Sequence, residues 1–128
     1  MSIVIEDISK YYGEQLALDK LSFSIPKGEI VGFLGPNGAG KSSLMKILTG
    51  AILPSSGKAY VNGFSVDKDR LKAQASLGYL SEHNALYPEM YVREYLRFIA
   101  AVHKVEKSSV EPVIEKTGLT AEADKKIH

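Results

Sequence analysis

Residues Gly35-Pro36-Asn37-Gly38-Ala39-Gly40-Lys41-Ser42 carry the spacing G-x-x-x-x-G-K-[ST], which suits the holding of a nucleotide's phosphates. A triphosphate needs a concave array of donors. Small residues at Gly35, Gly38, Ala39 and Gly40 let backbone N–H groups turn inward as an anion nest. Lys41 can bridge the β- and γ-phosphates as a point charge. The Ser42 hydroxyl can ligate Mg²⁺, whose other octahedral positions go to phosphate oxygens and water. Asn37 sits within the loop, and Ser43 is placed for the α-phosphate. An ordinary glycine-rich turn with a solvated lysine would leave the ordered Gly40-Lys41-Ser42 and its flanks unexplained.

Such a loop works only between a strand and a helix, and both flanks read that way. Glu29-Ile30-Val31-Gly32-Phe33-Leu34 is an apolar run that predicts a buried strand. From Lys41, Leu44, Ile47 and Leu48 share one helical face, and Gly50 stands where a helix would stop. The helix adds its unpaired amides and the positive end of its dipole to the nest.

The 128-residue chain has room for one domain with a modest core, and its formal net charge is +1. Neither a basic excess nor a charge block argues for nucleic acid as a partner. There is no cysteine, which excludes disulfides and thiolate metal sites. Met1-Ser2-Ile3-Val4-Ile5-Glu6 lacks the pattern of a signal peptide. No apolar run approaches the roughly 18–20 residues that span a bilayer. The expectation is a cytoplasmic chain that can dock on a membrane protein.

Ile3–Ile8 and Leu21–Ile25 predict two early strands with a turn over 11–15, and Leu21, Phe23 and Ile25 share a face. The tight turn Pro26-Lys27-Gly28-Glu29 predicts that the next strand pairs antiparallel with Leu21–Ile25. Lys58-Ala59-Tyr60-Val61 reads as a short strand before the hairpin signal Asn62-Gly63. A short helix over 71–75, a strand over Leu77–Leu80 and a loop from Ser81 to Tyr87 follow. Tyr91, Val92, Tyr95, Leu96, Ile99 and Val102 then recur at helical spacing. Ser108 and Glu111 have the spacing of a capping box for a second helix, which Gly118 closes. Pro112 falls in its first turns. Thr120 is placed to cap a third.

Together these pieces resemble the first half of an ABC transporter nucleotide-binding subunit. The loop has that family's form, G-P-N-G-A-G-K-S-S. Lys10-Tyr11-Tyr12-Gly13, Leu48-Thr49-Gly50, Ser56-Gly57 and Asn62-Gly63 also match, and Leu77-Gly78-Tyr79-Leu80-Ser81-Glu82-His83 matches the central glutamine loop. Glu82-His83-Asn84 and Met90-Tyr91-Val92-Arg93-Glu94-Tyr95-Leu96 narrow the likeness to gliding-motility-associated exporter subunits of bacteria. The resemblance implies an α/β P-loop NTPase fold of the ABC type, incomplete here. It would hold N-terminal antiparallel strands, the phosphate-loop strand and helix, and the start of the helical subdomain. The expected division is a nucleotide-binding core half over 1–88 and a helical part over 89–128.

The resemblance also assigns roles. Tyr12 matches the aromatic that stacks on adenine, with Tyr11 as the alternative if the register slips by one. Glu82 stands where the family usually has glutamine. It can ligate Mg²⁺ and join Lys41 in the catalytic set, or it can point away and do nothing. His83 reads as a loop residue, and Glu94 and Arg97 as a solvated face. The implied ligands are ATP and Mg²⁺. The implied partners are a separate transmembrane permease subunit and a second ATP-binding subunit, in a homodimer at the inner face of the plasma membrane.

No L-S-G-G-Q-like signature, no apolar strand ending in Asp-Glu and no switch histidine occur in these residues. Each contributes orders of magnitude to phosphoryl transfer in such enzymes. The expectation is a truncated fragment that binds Mg-ATP without hydrolysing it and is prone to self-association through uncovered strand edges. Rival readings are a soluble ABC ATPase acting on nucleic acid or the ribosome, a small-molecule kinase, and a regulatory module that binds without hydrolysis. The first should show basic insertions, and none is visible. The second normally opens with its phosphate loop rather than after an antiparallel lead-in.

Overall fold

Apolar residues along the N-terminal chain draw it into a long hairpin, β1 (Ile3–Tyr12) with β2 (Gln15–Ile25). The structure, a computed structural model, describes residues 2–82 and 84–127. Both strands run further toward the turn than their apolar cores, because backbone pairing continues through Lys10, Tyr11 and Tyr12 to Leu18, Leu16 and Gln15. Ile5 and Ile8 are three positions apart, so a regular strand would face them oppositely. A register shift between them, with Asp7 at φ 48°, returns both to the core.

The other edge of β1 takes β3 (Ser56–Val61), which turns through Asn62-Gly63 into β4 (Phe64–Ser65). The sheet order is β2-β1-β3-β4, antiparallel throughout. Helix α1 (Lys41–Leu48) lies against β2 and β3 and buries Leu44, Ile47 and Leu48 with Ile5, Ile8, Leu18 and Val61. After Thr49 the helix ends at Gly50, where Gly50 N–H reaches Ile47 O at 2.9 Å and Ala51 N–H reaches Lys46 O at 2.8 Å. Helix α2 (Arg70–Ala75) adds Ala73 to the same core.

Two expected strands do not form among the described residues. Residues 29–34 join no ladder, although β2 is an edge strand with one side open. The chain instead crosses a face of the sheet, where the Phe33 ring stacks on Phe23 with centroids 6.1 Å apart. Val31 and Phe33 there line a cavity of about 280 Å³ with Ile3, Phe23, Leu44 and Leu48. Ile30 and Leu34 are left exposed. Residues 77–80 likewise join no ladder, with Tyr79 and Leu80 exposed. An apolar run needs burial, but it forms a strand only where a neighbour offers a ladder.

The chain falls into two compact units, residues 1–80 and 81–128. In the second unit α3 (Val92–Val102) and α4 (Val110–Lys116) enclose a small core of Ala100, Val110, Ile114 and Ala123. Helix α3 opens with the Tyr91 N–H donating to the Glu94 carboxylate at 3.2 Å, so Glu94 is a helix-start group rather than merely solvated. The Val92 and Arg93 amides donate to the carbonyls of Lys125 and Ala123, at 3.0 and 2.9 Å. That pairing, with a bridge between Tyr91 and Lys126, holds residues 119–127 as successive turns, and among the described residues the helix expected from Thr120 does not form.

The capping box expected at Ser108 and Glu111 is also absent. Ser108 Oγ donates to Glu106 at 3.2 Å, and the chain enters α4 through a 3₁₀ turn over 107–109. Glu111 turns instead to Arg93, and Arg97 lies 3.8 Å from it. At the far end Gly118 closes α4, with Leu119 N–H on Ile114 O at 2.9 Å.

Arg93 also holds Asp124, Nε to Oδ1 at 2.9 Å, and this hydrogen bond keeps the Asp124 carboxyl below its ordinary range. A depressed folded value means stability that is present above the unfolded value, near 3.8, and lost as pH falls through the folded one. Acidification from about pH 5 to 3 should therefore lower the melting temperature of the parent more than that of Asp124→Asn. The carboxylate is exposed, so the difference should be small and shrink in salt. Equal acid sensitivity by circular dichroism would remove Asp124 from the account.

Candidate functional site

The loop between residues 34 and 41 is shaped by two left-handed glycines, Gly38 at φ 84° and Gly40 at φ 82°. Positive φ at these two positions is the backbone conformation from which anion-binding nests of amides are built. Ala39 N–H closes the turn on Pro36 O at 3.2 Å. Gly40 is the N-cap of α1, and the first helical bond runs from Leu44 N–H to Gly40 O at 2.9 Å. The amides of Lys41, Ser42 and Ser43 therefore have no partner within the helix.

Gly40 is also a packing residue. A Cβ there would lie 2.3 Å from Ala17 O and 2.6 Å from Leu18 Cδ2, so the loop seats directly on β2. Gly38 faces open space, with nothing within 4 Å of a Cβ. Lys41 folds back over the loop, its Nζ donating to Gly35 O at 2.5 Å and Pro36 O at 2.7 Å. Gly35, Asn37, Ala39 and Ser42 are exposed, and Lys41 and Ser43 half-buried.

Tyr12 ends β1 beside the start of α1. Its hydroxyl is 3.2 Å from Ser43 Oγ, and its ring is nearly half exposed. Tyr11 is also exposed, but its backbone N–H is taken by Ser55 Oγ at 3.0 Å. The structure thus brings Tyr12 to the loop formed by Gly35, Asn37, Gly38, Ala39, Gly40, Lys41, Ser42 and Ser43. Glu82 lies exposed in the other unit, in a turn closed by Ser81 Oγ to Asn84 Oδ1 at 2.7 Å and Asn84 Nδ2 to Ser81 O at 3.0 Å. His83 lies outside the described residues.

Sequence reasoning passed over Lys10. Its Nζ stands 5.3 Å from the centroid of the Tyr12 ring and donates to Leu53 O at 2.8 Å. The signal was available, since residues two apart on a strand share a face.

An antiparallel sheet backed by a helix that opens from a glycine loop is an incomplete P-loop NTPase fold. The profile of the ABC transporter family matches residues 18–128, and the chain belongs to that family. It is 42% identical over 132 residues to the rat ATP-binding cassette sub-family A member 2, covering 96% of this chain and 5% of that one. It is 37% identical to the linearmycin resistance ATP-binding protein LnrL of Bacillus subtilis, covering 95% and 40%. Among solved structures, an ATP-binding subunit of an ABC transporter superposes with a TM-score of 0.83 at 26% identity, over 98% of this chain and 54% of that one. CbiO1 of Clostridium perfringens, part of an ABC transporter complex, gives 0.80 at 25%, over 98% and 53%. The chain therefore spans about half the length of these solved relatives and less of the curated ones. No helix among the described residues is long and apolar enough to cross a membrane.

Proposed function

We propose that this chain binds Mg-ATP as the nucleotide-binding part of an ABC transporter subunit that drives export across a bacterial membrane. The observation that carries this reading is the contact between Tyr12 and Ser43, which sets an aromatic platform beside a loop suited to phosphate. The fit is supported by the unpaired opening amides of α1 at Lys41, Ser42 and Ser43, open space at Gly38 and the Lys41 ammonium poised over the loop.

On this reading adenine stacks on Tyr12, an interaction tolerant of base identity. Loop amides and Ser43 hold the α- and β-phosphates, and Lys41 leaves the carbonyls of Gly35 and Pro36 for the β- and γ-phosphates. Ser42 would hold Mg²⁺, which supplies charge neutralisation between the outer phosphates. Glu82 is a further metal and catalytic candidate, supported by its place in the glutamine-loop motif alone.

Export is supported by the likeness to LnrL, a linearmycin resistance ATP-binding protein. The gliding-motility subtype draws its support from Glu82-His83-Asn84 and residues 90–96. A transmembrane permease, a second ATP-binding subunit and a position at the inner membrane face complete the proposal for the whole protein. The two-part division, a nucleotide-binding core followed by the helical subdomain, belongs to the same reading.

Without a signature, an Asp-Glu strand end or a switch histidine in these residues, this stretch binds nucleotide but does not turn it over. Calorimetric titration of Mg-ATP should give one saturable site, with no phosphate release above background over hours. Absence of saturable binding would overturn the first half of the reading, and steady turnover the second.

A further inference from the structure

We propose that Lys10 is a positioning residue for the nucleotide base, holding Tyr12 from behind so that one face of its ring is presented for stacking. The inference rests on the nucleotide-binding reading above. Four observations meet at this point. Tyr12 is the last residue of β1, where the ladder gives its side chain little lateral support. Its hydroxyl is tied to Ser43 Oγ at 3.2 Å, which fixes one end of the ring at the start of α1. The Lys10 ammonium stands 5.3 Å from the ring centroid. That ammonium is itself anchored on Leu53 O at 2.8 Å, beside the contact of Ser55 N–H with Ser9 O at 2.9 Å.

A ring has two faces, and a cation held against one leaves the other for a flat ligand. The attraction is between the ammonium and the ring's quadrupole. Because Lys10 is already restrained by Leu53, ordering Tyr12 costs little further side-chain entropy when the base arrives. The ammonium also draws π-density away from the stacking face, which favours an electron-rich purine. Lys10 then acts only on the base, through Tyr12, and contributes nothing to the phosphate loop.

Tripolyphosphate, which has the charges of ATP and no base, separates the two effects. Lys10→Met keeps an apolar stem and removes the cation. It should weaken Mg-ATP binding about two- to fivefold and leave magnesium tripolyphosphate binding unchanged, and Lys10→Arg should restore the ATP affinity. In a Tyr12→Leu background Lys10→Met should have no further effect. Parental ATP affinity in Lys10→Met would overturn the proposal. So would an equal loss for both ligands, or an undiminished effect without Tyr12. If the parent binds neither ligand, the nucleotide reading itself fails and takes this inference with it. If it binds tripolyphosphate as tightly as ATP, the loop stands and the base platform does not.

Discussion

Lys41→Ala is expected to weaken Mg-ATP binding about 30- to 1,000-fold, the equivalent of about 2–4 kcal/mol for losing a charge-assisted contact in a partly enclosed site. Two terms compete. Removing the ammonium forfeits its attraction for the β- and γ-phosphates. It also frees the carbonyls of Gly35 and Pro36, which Lys41 occupies at 2.5 and 2.7 Å, so the parent alone must break those bonds to bind. The phosphate term wins because an ammonium gains more from multiply charged oxygens than from two neutral carbonyls. Lys41→Arg should recover only part of the loss, since the planar guanidinium is wider than the point charge the loop encloses. Calorimetry on the variants decides it. Retention of parental affinity in Lys41→Ala would place the phosphates elsewhere.

The second large effect is on the seat of the loop. Gly40→Ala should lower the melting temperature of the first unit by about 5–15 °C and abolish detectable Mg-ATP binding. The left-handed backbone at φ 82° costs an alanine about 1–2 kcal/mol. The new methyl would also meet Ala17 O at 2.3 Å. That carbonyl belongs to β2, which is paired with β1, so it cannot swing aside as a flexible side chain would. Either the loop lifts away or the strand moves. Gly38→Ala is the matched control, with a similar φ of 84° and open space around it, and should show the conformational cost alone. Equal losses in the two variants would mean that the seating on Ala17 is unimportant.

The parts legible in the sequence were those whose cause is local. Leu44, Ile47 and Leu48 recur at helical spacing and are the buried face of α1. Gly50 and Gly118 end helices as expected, and Asn62-Gly63 turns β3 into β4 with φ of 49° and 84°. The loop announces itself because its glycines and lysine are consecutive. What escaped depends on distant partners. The apolar runs at 29–34 and 77–80 promise burial but do not say what lies beside them, and they join no ladder. Glu111 has capping-box spacing, yet Arg93 from another helix attracts its carboxylate. Thr120 has a capping residue's chemistry, but the segment after it is held by the opening amides of α3. Lys10 lay between these cases, since strand periodicity puts it on the face of Tyr12 while its anchor on Leu53 is long-range.

On the reading proposed above, the loop and Tyr12 together receive Mg-ATP. The most direct measurement is the two-dimensional amide NMR spectrum of the chain with and without Mg-ATP. Saturable shifts should concentrate at residues 35–43 and at Tyr12, and magnesium tripolyphosphate should reproduce the loop shifts while leaving Tyr12 largely unmoved. Shifts centred elsewhere, or a spectrum unchanged at millimolar Mg-ATP, would contradict that reading.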